Sequence, residues 1–92
     1  MNKVIINNKE YEILEDINNA FDKEEVSSKL TDFFDEYDYI IGDWAYGKLR
    51  LKGFCNKENK IYSKINDIQN KEDYIKEHCA FGCKYFVMKK SV

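Results

Sequence analysis

The sequence predicts an α+β fold: a mainly antiparallel, layered β-sheet with two helices packed on it. Two observations lead there. Apolar strand-like segments follow one another through tight turns at Asn7-Asn8 and Tyr46-Gly47, and strands joined that way pair antiparallel. Two other segments have helical apolar spacing, and an amphipathic helix needs a face to cover. The predicted order is β-β-α-β-β-β-α-β within a single domain spanning residues 1–92.

Each element has its own signal. Val4–Ile6 and Tyr11–Leu14 flank Asn7-Asn8, and Asn tolerates the positive φ of a hairpin turn. "DKEEVSSKLTDFFDEY" predicts a helix from an Asp22 N-cap to Tyr37, with Glu25 at capping-box spacing. Its stripe is Val26, Leu30, Phe33, Phe34 and Tyr37. "YDYIIGDWAYGKLRLKGFC" predicts two strands about Tyr46-Gly47. "NKENK" is a polar loop and "IYSKI" a short strand. "NKEDYIKEHCAF" predicts the second helix, with Asn70 as N-cap and Gly82 as its stop. "CKYFVMKK" is the last strand.

Bulk properties narrow the function. Charged residues make up 35% of the chain and the net charge is -2. That argues against indiscriminate nucleic-acid binding and permits a local basic face. No apolar run is long enough to span a membrane, and the N-terminal apolar stretch is too short for a signal peptide. Three cysteines, an odd number, fit a reducing compartment. The expectation is a cytoplasmic protein without a membrane partner.

The hairpin "DWAYGKLRLKGFC" concentrates the candidate residues, holding the lone Trp44 and the lone Arg50. Two registers are open. A two-residue turn pairs Asp43 with Arg50 and Trp44 with Leu49. Trp44, Gly42 and Ile40 then face the core, with Gly42 making room beside Trp44, and Asp43, Lys48, Arg50 and Lys52 form an ordinary wet face. A three-residue loop with a glycine bulge spares Tyr46 a positive φ. It sets Trp44 beside Lys48, Arg50 and Lys52, and aromatic residues among cations suit single-stranded nucleic acid.

Other chemistry is sparse. Cys79 and Cys83 form C-x3-C, and His78 and Cys55 complete a Cys3His set of irregular spacing, a weak metal candidate. Asp43 is the one acid within an apolar strand and the best candidate for a functional carboxylate, and catalysis there would require a concave pocket around it. No phosphate-cradling loop, nucleophile–base pair or cofactor motif is present. The leading expectation is a non-enzymatic binding or regulatory domain using Trp44, Tyr46, Lys48, Arg50 and Lys52. Its partner would be RNA, single-stranded DNA or an acidic protein surface. A protein-interaction or homodimerising module is the second expectation, and a small enzyme centred on Asp43 and Arg50 the third.

Two motifs, "YDYIIGDWAYGKLRLKGF" and "CAFGCKYFVMKK", together with "YEILEDINNAFDKE", resemble the YutD-like family, small uncharacterised proteins of low-GC Gram-positive bacteria. The similarity covers nearly the whole chain. Ala45 stands where the family pattern has a glycine and Lys48 where it has a glutamine. Cys55 replaces an aromatic residue and His78 a frequent tyrosine. Cys55 and His78 are thereby removed from any family-wide site, and Lys48 adds basic character. The resemblance implies a compact domain of layered sheet and helix, and no activity.

Overall fold

A computed structural model describes residues 2–78 and 84–91. The strands are β1 (Asn2–Ile6), β2 (Lys9–Ile17), β3 (Tyr39–Ala45), β4 (Lys48–Phe54) and β5 (Tyr85–Lys90). They form one antiparallel sheet in the order β1-β2-β5-β3-β4. The last strand in sequence therefore lies in the middle. Its run Phe86, Val87, Met88 is buried at every position, as expected of a strand covered on both faces. Leu14 is the extra residue of a bulge in β2.

Alternation along the strands sends side chains to two clusters. One face holds Ile6, Tyr11, Ile40, Leu49, Phe86 and Met88 against Ala20, Val26, Leu30 and Phe34. The helix α1 (Lys23–Lys29) lies there. The opposite face holds Ile41, Phe54 and Val87 with Tyr39, Ile68, Tyr74 and Tyr85. The helix α2 (Lys71–His78) covers that side. Each fully buried large apolar side chain contributes roughly 1.5–3 kcal/mol.

The predicted first helix is too long. α1 ends at Lys29, Leu30 is extended, and a separate 3-10 turn covers Asp32–Phe34. The Asn7 amide donates to the carbonyls of Ser27 (3.1 Å) and Leu30 (2.9 Å), so the first hairpin turn caps the helix end. Asp22 is the N-cap, accepting from the amides of Glu24 and Glu25. Val26, Leu30 and Phe34 are buried, but Phe33 is exposed.

The predicted strand "IYSKI" does not form, and the described residues hold five strands in place of six. Residues 64–66 and 68–70 are 3-10 turns. Asn66 accepts from the Ser63 amide at 2.8 Å and donates to the Ile61 carbonyl at 3.2 Å. These local bonds compete with a ladder. Asp67 caps the 3-10 turn that runs into α2, taking the Gln69 amide at 2.9 Å. The Asn70 side chain donates to the Lys64 carbonyl. The predicted stop at Gly82 lies outside the described residues.

Candidate functional site: the second hairpin and its groove

The β3–β4 hairpin forms the two-residue register, with Asp43 opposite Arg50, Trp44 opposite Leu49 and Ala45 opposite Lys48. Tyr46 and Gly47 have φ of 54° and 76°, a type I′ turn. The bulged alternative is not adopted, and Trp44 does not share a face with Lys48, Arg50 and Lys52. Its ring packs on the α1-side core, and its Nε1 donates to the Ala20 carbonyl at 2.8 Å. Lys84 lies over the ring, 5.0 Å from its centroid. Gly42 makes room for Phe86 and not for Trp44: a Cβ there would stand 2.2 Å from the Phe86 ring tip.

Asp43, Lys48, Arg50 and Lys52 lie on the α2 side, as the two-residue register requires. That face is not uniformly wet. Asp43 is only 2% exposed. Its Oδ2 accepts from Arg50 Nη2 at 2.5 Å, and the same Nη2 donates to the His78 carbonyl at 3.0 Å. Arg50 thus ties the hairpin to the end of α2, and Asp43 holds its guanidinium above the usual arginine value. The other oxygen, Oδ1, is buried without a hydrogen-bond partner among the described residues.

Beyond Arg50, the strand and α2 flank an open groove of about 700 Å³ lined by Lys52, Phe54, Lys64, Ile65, Asp73, Tyr74, Glu77 and His78. Phe54 meets Tyr74 edge-on at 5.3 Å, and Tyr74 lies under His78 at 4.5 Å. Lys52 leans over the Phe54 ring at 5.9 Å. Burial pushes the Tyr74 hydroxyl up, and the Asp43 charge adds to it. Asp43 does not line this groove.

Among the described residues, no group of three or more His, Cys, Asp or Glu is placed to hold a metal. Cys79 and Cys83 lie outside them. Cys55 is buried, its thiol pushed up by burial, and its backbone is bonded to Asn66 and Ile68. His78 stacks on Tyr74. No helix among the described residues is long and apolar enough to cross a membrane.

The hairpin tip is the most exposed part of this region. Tyr46 is fully exposed, and Lys48 is exposed beside it. Sequence reasoning missed Lys84, Lys64 and Tyr74. Lys84 reaches Trp44 only because β5 pairs with β3, bringing Tyr85 opposite Asp43, an order no local signal reveals.

A family model described as "Putative antitoxin YutD-like" matches residues 5–89. The chain belongs to the YutD-like family. A relative from Bacillus subtilis (strain 168), described as "Putative antitoxin YutD", is 40% identical over 87 residues. That match covers 95% of this chain and 96% of the relative. The solution NMR structure of the protein yutD from B. subtilis has 38% identity and a TM-score of 0.80, covering 99% of this chain and 83% of that one. The YutD-like motif "YDYIIGDWAYGKLRLKGF" is thus the β3–β4 hairpin with the approach to it.

Proposed function

We propose that this YutD-like chain is a non-enzymatic binding and regulatory domain whose hairpin tip contacts an acidic protein surface. Tyr46 is the anchor. Lys48, Arg50 and Lys52 form a row on one side, and Lys84 flanks the other. One observation carries the reading. Among the described residues, the non-glycine positions with positive φ are Asn7, Asn8, Asn18, Asn19 and Tyr46. Asn suits that conformation, whereas a bulky residue pays for it. Tyr46 is strained and fully exposed, so neither the turn nor the core accounts for a tyrosine there. An exposed aromatic at the end of a row of cations is a typical contact anchor.

The relative's description as a putative antitoxin fits a domain that acts by binding. A second reading, RNA or single-stranded DNA, draws on the same row of cations. It is less favoured because Trp44 is turned into the core and Arg50 is engaged by Asp43.

Affinity capture with the tagged chain, before and after nuclease treatment, separates the two. The expected result is one protein captured in both conditions and lost with Lys48→Glu/Lys52→Glu and with Tyr46→Asn. Relief of backbone strain makes Tyr46→Asn more stable by about 1 kcal/mol, so its loss of binding is not unfolding. Capture that disappears with nuclease moves the function to nucleic acid. Capture that survives both variants removes the tip from the interface.

A further inference from the structure

The sheet ends on β1 and β4, and the two edges differ. In the first hairpin the turn Asn7-Asn8 makes Ile6 and Lys9 the hydrogen-bonded pair. Bonding alternates from there, so Val4 and Asn2 also bond to β2. The neighbouring ladder fixes the same phase: the Ser91 amide donates to the Glu10 carbonyl at 3.0 Å, so the Glu10 backbone faces β5. The N–H and C=O groups of Lys3 and Ile5 therefore point off the sheet. Both residues are exposed, Ile5 at 60%. β1 carries one charge and no bulge or proline, the devices that usually blunt an edge.

We infer that β1 is a self-pairing edge, which joins β1 of a second copy antiparallel about a two-fold axis at Val4. Lys3 then lies opposite Ile5 of the second copy, and Ile5 opposite its Lys3. The four outward backbone groups of each strand find partners. No like charges oppose one another. On the α2 side, the two Ile5 side chains become diagonal neighbours over the β1–β2 half of the sheet. The cluster under α2 draws its strand residues from β3, β4 and β5, so Ile5 and Leu14 stay exposed in the single chain.

β4 refuses the same operation. An antiparallel pairing centred on that strand sets Arg50 against Arg50 or against Lys52 of the copy, and such pairs repel. Its edge is also partly taken. Leu49 and Gly53 are buried, and the Cys55 amide and carbonyl bond to Asn66 and Ile68. The sheet thus has one edge open to its own kind and one closed to it. Self-pairing at β1 leaves the hairpin tip free and does not depend on what that tip binds.

The test is sedimentation equilibrium of the full chain from micromolar to millimolar concentration, with amide hydrogen exchange on the same samples. The mass should rise toward twice the chain mass, and the Lys3 and Ile5 amides should exchange more slowly as it does. Ile5→Lys should stay monomeric throughout and unfold at the wild-type temperature at the lowest concentration, where both are single chains, and Tyr46→Asn should dimerise as wild type does. A mass that stays at one chain across the range overturns the inference. So does a dimer in which the Lys3 and Ile5 amides remain unprotected, or one that Ile5→Lys leaves intact.

Discussion

Asp43 and Gly42 adjoin in sequence and face opposite ways, and each fixes a neighbour. Asp43 is buried and relies on Arg50, whose side chain is about half exposed. Removing Arg50 strands a carboxylate that already has one oxygen unpaired among the described residues. Arg50→Ala is therefore expected to cost about 1–3 kcal/mol, read by urea denaturation. That is more than a surface ion pair contributes, so binding assays on this variant must first show that it is folded. Gly42 lies under the Phe86 ring, which itself meets Phe21 edge-on at 5.3 Å. Gly42→Ala forces that buried ring to move and should cost about 1–3 kcal/mol, seen as a lower urea midpoint with unchanged slope. At this scale the sequence was informative in part. The pairing of Asp43 with Arg50 follows from the turn length, but the turn length did not follow from Tyr46, because tyrosine argues against the conformation it adopts.

Elements were legible where the local signal agreed with the tertiary one. Both hairpins, the Asp22 cap and the final strand have such signals. α1 was overextended because Phe33 and Tyr37 continue a helical period that the chain does not use; the Asn7 side chain, distant in sequence, ends the helix. The "IYSKI" segment failed as a strand because Asn66 and Asp67 satisfy local backbone, leaving Ile65 exposed. Asp67 gives this segment a pH dependence. The Tyr62 hydroxyl at 2.6 Å, then the Gln69 amide, hold its carboxylate below the ordinary value of 3.8. A lowered folded value means the contribution is fully present above that ordinary value and is lost as pH falls through the folded one. Acid titration of stability should therefore show a loss below pH 3.8. Tyr62→Phe should shrink that loss and lower stability at neutral pH. An acid profile identical to wild type would remove Tyr62 from this role.

The whole molecule is a sheet between two helices, and its order was the least legible feature. The strand order places β5 between β2 and β3, and only the unbroken apolar run Phe86–Met88 hints at a central strand. That order brings Lys84 to Trp44 and sends the two helices to opposite faces. It also turns Trp44 away from the cations it neighbours in sequence, so the proposed contact surface is the hairpin tip and the row from Lys48 to Lys52. Tyr46 is the centre of that proposed surface. A photo-crosslinking amino acid placed at Tyr46, with a second placed at exposed Phe33 as control, reports the contact directly in intact cells. The expected result is a crosslink from position 46 to one acidic protein, abolished by Lys48→Glu/Lys52→Glu in the same chain and absent from position 33. Equal crosslinking from both positions, or none from position 46, would contradict the account.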